Sequence, residues 1–270
     1  MIHILKIVYF LIFLTPIFCE IQEKIMNLKT EQEVIKNDFR RGNLHRKECS
    51  LIFTADCHTE EGNDILDILK EKGVKCSFFL TGKCIDTYAK PELIKRIIND
   101  GHEIGSHLYH HDPWEDIVEI VPDEYVRGEL WLSNYALKKL TGVEMVKVWI
   151  APYEISCEKN RNAAAKDGWI HINFTEGFNT NDWATRDYPQ IFNPPEKIVE
   201  KILNSADNSP YGLNGVIILL HLGTLRKPED KMTAKIPSQN NTYLGFLIDE
   251  IHKRGYKIVK ITELIKNKYK

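Results

Sequence analysis

The stretch Gly101-His102-Glu103-Ile104-Gly105-Ser106-His107-Leu108-Tyr109-His110-His111 combines a short apolar segment with two histidines four positions apart. Ile104, between glycines, predicts a short strand that ends and then turns. If one helical turn follows the strand, the imidazoles of His107 and His111 face the same way. Zinc and related metals bind imidazole nitrogen readily, so the pair is a candidate metal site. A pair of histidines on a solvated loop is the alternative, and the rest of the chain decides between the two.

Strand-like and helix-like segments alternate from Cys49 onward. About seven strand–helix units with no linker between them predict a single α/β domain with a parallel sheet, best fitted by a closed or nearly closed distorted (β/α) barrel. An open doubly wound sheet is the alternative, although no GxGxxG motif supports a dinucleotide site. Besides the strand at Ile104, the predicted strands are 50–54, 74–80, 146–150, 169–174, 215–221 and 256–259, and the predicted helices are 64–72, 91–100, 124–140, 159–166, 196–204, 243–254 and 262–266.

The N-terminus differs in composition from the rest of the chain. His3 and Lys6 precede an apolar run from Ile7 to Phe18, which fits residues 1–19 as a secretory signal peptide; an uncleaved anchor is the alternative. We therefore expect a secreted, cell-surface or cell-wall protein with no stable membrane insertion after cleavage. Residues 20–48 are predicted to form an N-terminal helical arm outside the main domain, which covers 49–270.

Charge and cysteine usage narrow the partners and the chemistry further. A formal net charge of -2 gives no reason to expect nucleic acid as a partner. Export would permit disulfides, and the number of cysteines after Cys19 is odd, so at least one thiol has no partner within the chain. If Cys57 is that thiol, a bridge between Cys49 and Cys76 is possible, because these two open adjacent predicted strands. The cysteines after Cys19 are Cys49, Cys57, Cys76, Cys84 and Cys157.

Polar side chains recur where the predicted strands end. Carboxyl ends of parallel strands meet at one edge of a sheet or barrel, which is where function gathers in both candidate architectures. The residues that fall at this edge are Asp56, His107, Tyr153, Asp182 and His221.

Five short motifs in register resemble the polysaccharide deacetylases, the NodB-homology group of carbohydrate esterase family 4 that includes chitin deacetylases. The resemblance covers roughly Cys49 to Ile265. It implies a distorted (β/α) barrel with one divalent metal, usually zinc or cobalt, which removes acetyl groups from N-acetylglucosamine polymers such as chitin. The motifs are Thr54-Ala55-Asp56-Cys57-His58, Ser106-His107-Leu108-Tyr109-His110-His111, Ile150-Ala151-Pro152-Tyr153, Asn179-Thr180-Asn181-Asp182-Trp183 and Leu219-Leu220-His221.

The resemblance also implies a role for each matched residue. In the family's chemistry the metal polarises the acetamide carbonyl, an aspartate takes a proton from water and a histidine protonates the departing amine. The matched positions are His107 and His111 for the metal, Asp56 for the general base, His221 for the general acid with Asp182 as its orienting partner, Trp183 and Leu219 for walls around the acetyl methyl, and the backbone N–H of Tyr153 for an oxyanion donor.

Two departures weaken the match at the centre of the site. Cys57 stands where the family has a metal-binding aspartate, and Ile150 stands where it has an arginine that pairs with the base. A thiolate can bind zinc, so a His-His-Cys site is chemically sensible, but it makes the metal a poorer Lewis acid. A small buried side chain or a disulfide partner are the other interpretations of Cys57. Ile150 cannot replace the arginine's charge or its hydrogen bonds to Asp56.

Two functional hypotheses follow from these features. The first is a metal-dependent N-deacetylase acting on chitin or chito-oligosaccharides, in an impaired form. The second is a secreted protein that binds chitin or another N-acetylglucosamine-containing polysaccharide and keeps the barrel with little or none of its chemistry. Cys57 and Ile150 favour the second.

Overall fold

The computed structural model describes residues 38–113, 118–237 and 239–268. These residues form one parallel sheet whose strands follow the spatial order β1-β6-β5-β4-β3-β2-β7, with β8 paired to the beginning of β2. Strands β1 to β8 are Asp38–Phe39, Glu48–Ala55, Ser77–Leu80, Glu103–Ser106, Val148–Trp149, Ile170–Ile172, Ile217–His221 and Lys257–Ile258.

The sheet curls back towards its own edge. The segment that follows β6 runs beside β7: the amide of Thr175 donates to the Ile217 carbonyl at 3.0 Å, and the amide of Thr180 donates to the Leu219 carbonyl at 3.3 Å. These bonds place the segment that follows β6 against the free edge of β7. The predicted distorted (β/α) barrel is therefore confirmed, in the form of a curled, nearly closed sheet.

Helices return the chain between the strands, and their ends follow local chemistry. Pro91 and Pro195 occupy first-turn positions, where proline's missing N–H is not needed. The longest helix ends at Gly142, whose φ of 77° suits glycine, and Thr242 caps another by accepting the Gly245 amide at 3.0 Å. Helices α1 to α7 are Gly62–Glu71, Pro91–Asn99, Asp123–Thr141, Glu158–Ala165, Pro195–Asn208, Tyr243–Lys253 and Ile261–Asn267.

Apolar side chains fill both faces of the sheet. An outer cluster packs the sheet against the helices, and an inner cluster fills the barrel. Because the inner cluster is buried and apolar, a charged group placed in it would need a partner to offset its desolvation. The buried members of the inner cluster are Phe39, Ile52, Phe79, Val148, Ile150, Ile172, Ile217, Leu219, Val259, Ile261 and Leu264.

Only the end of the predicted N-terminal arm falls within the described residues. The predicted signal peptide, 1–19, and residues 20–37 of the predicted arm lie outside the described residues. Asp38 and Phe39, which also fall in that arm, instead form β1 and pair with His171 and Ile172 of β6. This part of the arm belongs to the sheet, so the domain begins earlier than the predicted boundary at Cys49. In the described ranges, no helix has the length and apolar character needed to cross a membrane.

The five cysteines of the described residues are all free thiols. The bridge that the sequence made possible between Cys49 and Cys76 is absent, and strand register gives the reason. Ile52 is the partner of Ser77, so Cys76 lies opposite Leu51, and Cys49 lies two residues before Leu51 on β2. That offset along the strand adds to the spacing between neighbouring strands and exceeds the reach of a disulfide.

Candidate functional site

A cavity of about 980 Å³ opens at the carboxyl edge of the sheet. This size lies within the usual range for small-molecule sites. Seven of the residues predicted from the motifs line it, and the other two lie behind the wall: Asp182 is buried against His221, and Leu219 is fully buried in the inner cluster. The lining residues among the predicted set are Asp56, Cys57, His107, His111, Tyr153, Trp183 and His221.

His107 and His111 are brought side by side, with ring centroids 5.0 Å apart. His107 is 2% exposed, and its Nδ1 donates to the Ile150 carbonyl at 2.9 Å, which leaves the lone pair on Nε2. Burial and the neighbouring His111 hold the pKa of His107 well below its usual range, and burial also lowers the pKa of His111. Both rings are therefore neutral near pH 7 and present nitrogen lone pairs.

The expected helical turn after β4 is absent, and a loop brings the two histidines together instead. Leu108 adopts φ 65°, which reverses the chain between them. Glu129, on α3 and 4% exposed, holds the loop: its Oε2 accepts the amides of Tyr109 at 3.1 Å and His110 at 2.7 Å, and its Oε1 accepts Nδ1–H of His110 at 2.9 Å. Glu129 was not found from the sequence, because nothing local marks it.

His221 ends β7 with its imidazole fixed by a buried carboxylate. Asp182 Oδ1 accepts Nδ1–H of His221 at 2.7 Å, while Oδ2 accepts the His221 amide at 3.1 Å. Burial alone would lower the pKa of His221, but the charge and hydrogen bond of Asp182 outweigh it, so the pKa is raised. The pair has the geometry of an oriented general acid.

Asp56 is held by a neutral hydroxyl group. Its Oδ1 accepts the Thr81 hydroxyl at 2.8 Å, and within the described residues it forms no ion pair with lysine or arginine. Cys57 beside it is exposed, and the pKa of its thiol is raised by partial burial and then by the Asp56 charge. Ile150 is fully buried in the inner cluster, where it offers neither charge nor hydrogen bond.

The protein groups at the cavity do not amount to a complete metal site. Within residues 38–113, 118–237 and 239–268, no three or more His, Cys, Asp or Glu side chains are grouped so that they could hold a metal ion. Catalytic zinc normally takes three protein ligands. His107 and His111 supply two suitable nitrogens, and Cys57 lines the same cavity without completing the set. The metal role of Cys57 stays a prediction.

The turn after β5 carries the site's most unusual backbone. Tyr153 and Glu154 both adopt left-handed conformations, with φ of 55° and 58°, and both line the cavity. Asn173 supports the turn by donating Nδ2–H to the Glu154 carbonyl at 3.0 Å. Burial raises the pKa of Glu154, and His221 opposes that rise. Sequence analysis missed Glu154, because two successive left-handed residues cannot be foreseen when neither is glycine, asparagine or aspartate.

The opposite wall of the cavity is braced by Arg226, which is 4% exposed. Its guanidinium donates to the carbonyls of Asn193 at 2.9 Å, Asp230 at 3.0 Å and Asn181 at 3.1 Å. These bonds tie the loop after β7 to the loop that carries Trp183. The Trp183 side chain stays 40% exposed and offers an apolar face to a ligand.

Comparisons with known proteins agree with this geometry. A family model described as polysaccharide deacetylase matches residues 41–169. The peptidoglycan-N-acetylmuramic acid deacetylase PdaA of Bacillus subtilis is 34% identical over 227 residues, 84% of this chain and 74% of that protein. A chitooligosaccharide deacetylase of Bradyrhizobium is 28% identical over 203 residues, 74% of this chain and 83% of that protein.

A solved structure of a carbohydrate esterase family 4 pseudoenzyme from Bacillus anthracis shares the fold, with a TM-score of 0.67 at 21% identity, over 85% of this chain and 69% of that one. The curled parallel sheet, the register of the motifs at its carboxyl edge and the extent of the PdaA match all lead to one assignment. This chain belongs to the polysaccharide deacetylase family, carbohydrate esterase family 4.

Proposed function

We propose that this protein binds N-acetylglucosamine-containing polysaccharides in its cavity and that its deacetylation of them is weak or lost. The observation that carries the proposal is the pairing of Cys57 and Ile150 at the two positions where the family has a metal-binding aspartate and an arginine. Deacetylases of this family are metal-dependent, and a relative with this fold is a pseudoenzyme. The relatives' names include deacetylases of chitooligosaccharides and of peptidoglycan, which supports a glycan of this class as the partner.

The residues present support half of the reaction. His221, oriented by Asp182, is placed to protonate a departing amine. The backbone N–H of Tyr153 matches the family's oxyanion donor by its position in the motif. Asp56 is held by the Thr81 hydroxyl but has no arginine or lysine partner among the described residues, so it lacks the charge-assisted hydrogen bonds that position the family's general base. A metal bound by His107 and His111 would supply Lewis acidity, but the described side chains leave that donor set incomplete.

The test combines metal analysis with acetate release from chito-oligosaccharides. We expect substoichiometric zinc in the purified protein and little or no acetate. Alkylating Cys57 should leave the zinc content unchanged if the thiol is not a ligand. Replacing Cys57→Asp should raise zinc affinity by about tenfold or more with a much smaller gain in turnover, because Asp56 still lacks its partner; Cys57→Ser is the matched control. Stoichiometric zinc with metal-dependent acetate release by the unmodified protein would refute the proposal.

The second candidate is an active deacetylase with a His-His-Cys metal site. It is favoured by the presence of the Cys57 thiol in the same cavity as His107 and His111. In that case Cys57→Ser would abolish both zinc binding and acetate release, and alkylation would expel the metal.

We also propose that the protein is exported to the cell surface, cell wall or medium. The apolar run from Ile7 to Phe18 supports this, since it fits a secretory signal. Expression of the full chain should give a shortened N-terminus outside the cell; retention of the intact N-terminus in the cytosol would contradict it.

A further inference from the structure

The floor of the cavity presents carboxylates that no lysine or arginine of the described residues pairs with. Asp56 accepts hydrogen bonds from two neutral groups, the Thr81 hydroxyl at 2.8 Å and the Cys57 thiol. The Glu154 carboxylate lines the same cavity, and in the described part of the chain it has no hydrogen bond or ion pair. His107 is 2% exposed and lines the cavity; its Nδ1 donates to the Ile150 carbonyl, so its Nε2 carries a lone pair with no hydrogen-bond donor among the described residues. A ligand that satisfies these groups must bring N–H or O–H donors, and a positive charge would match the two carboxylates.

Positive charge from the protein itself is largely committed elsewhere. Arg186 is held by a bidentate ion pair with Asp230, at 2.7 and 2.8 Å. Arg226 donates through Nη1 and Nη2 to three backbone carbonyls, and its Nε is buried away from the cavity surface. His221 is held by Asp182, and its charge also interacts with Glu154. Lys227 lies exposed at the rim. Among the described residues neither carboxylate on the floor is paired with a lysine or arginine, so a cationic ligand can bind both.

Glu154 is held in this position against its backbone preference. It adopts φ 58°, directly after Tyr153 at 55°, where glycine would be unstrained. A strained residue that places a free carboxylate in a cavity is a pointer to ligand binding. Glu154→Gly should therefore relieve the strain and remove the carboxylate together, so stability should rise while ligand binding is lost.

We propose that the cavity recognises glucosamine residues that already carry a free amino group, with Glu154 as the specificity-determining residue. This rests on the proposed function, in which the cavity binds glycans without hydrolysing them. A protonated amine brings three N–H donors and one charge, and it needs no fixed coordination geometry. An N-acetyl group brings a single N–H and a carbonyl that would itself need a donor. The acceptor-rich floor accordingly favours the deacetylated sugar.

The test is isothermal titration calorimetry with two tetramers, one of glucosamine and one of N-acetylglucosamine. The full chain is freed of metal by chelation and measured at about pH 6, where the sugar amine is charged. We expect the glucosamine tetramer to bind about tenfold more tightly or better, and its advantage to shrink at high salt. Glu154→Gln should reduce the difference to about threefold or less, whereas the exposed Glu176→Gln should leave it unchanged.

Glu154→Gly shows whether a loss of binding comes from misfolding. It should raise the melting temperature while it removes the preference for the glucosamine tetramer. Equal or tighter binding of the N-acetylated tetramer, no binding of either tetramer, or a preference that survives Glu154→Gln would each overturn the inference. Acetate release from the N-acetylated tetramer is followed separately with metal restored. Release would refute the proposed function, and its absence together with no amine preference would refute only this inference.

Discussion

Glu129 is the residue whose replacement tests the histidine loop most directly. Its buried carboxylate accepts two backbone amides and one imidazole N–H from the segment between His107 and His111. Truncation to alanine leaves the Tyr109 and His110 amides without acceptors, at about 1–3 kcal/mol each. We expect Glu129→Ala to lower the free energy of unfolding by about 3–5 kcal/mol, in line with breaking a buried charged network.

Glu129→Gln provides the sharper comparison. Oε2 alone accepts both backbone amides, so a glutamine amide oxygen can keep both bonds while losing only the charge and the His110 contact. We expect a loss of about 1–2 kcal/mol for this variant. Glu144→Ala, which removes an exposed ion pair with Lys138, serves as the surface control and should not differ measurably from the parent protein.

The assay joins denaturant unfolding at pH 7 to amide hydrogen exchange. Exchange at the Tyr109 and His110 amides should accelerate strongly in Glu129→Ala and only slightly in Glu129→Gln. If Glu129→Ala unfolds at the parent protein's denaturant midpoint with unchanged protection of these two amides, the loop is held by other contacts and the reasoning fails.

Three further substitutions test buried polar groups and the inner core. Burial lowers the pKa of His102 to about 4, so the stability that neutral His102 contributes is complete above about pH 6.5 and is lost as the pH falls towards 4. His102→Gln can still accept the Cys76 amide but cannot be protonated, so it should remove about 3 kcal/mol of this acid destabilisation in urea titrations. An unchanged slope of unfolding free energy against pH would contradict this. Asp182→Asn should lower the His221 titration midpoint seen by NMR, because burial is then opposed by less charge; an unshifted midpoint would show that Asp182 does not set it. Ile150→Arg should cost about 3–5 kcal/mol of stability by burying a charge in the inner cluster and should not by itself release acetate; unfolding at the parent midpoint would refute the burial argument.

The elements with clear periodicity could be predicted from the sequence. The apolar run before His221 gave β7, and the long amphipathic segment ending at Gly142 gave α3, both within two residues of their observed ends. Parallel strands place their carboxyl ends together, so the alternation of elements also predicted that Asp56, His107 and His221 would share one cavity. These features depend on local pattern and on a general rule of topology.

The features that sequence could not supply depend on tertiary contacts or on very short segments. Strand β1 has two residues, too few to show the alternation of apolar and polar side chains that predicts a strand. Glu129 lies 19 residues beyond His110 as one charge among many on α3, and only packing brings its carboxylate under the loop. Cys49 and Cys76 form no bridge because they are offset by two residues in strand register, and sequence composition does not determine register.

Backbone strain gives an independent reason to regard the cavity as a working site. Among the described residues, the non-glycine positions with positive φ are Leu108, Tyr153, Glu154 and Asn181. Three line the cavity, and Leu108 lies between the two histidines. At about 1–2 kcal/mol each for Leu108, Tyr153 and Glu154, and less for Asn181 because asparagine tolerates this conformation, the four together cost a substantial fraction of the stability of a marginal domain. A barrel needed only as a scaffold would be more stable with glycine at these positions, as Glu154→Gly would show. Strain confined to the walls of one cavity is therefore best explained by ligand contacts that hold those walls in place, and this explanation holds whether or not the protein still hydrolyses its ligand.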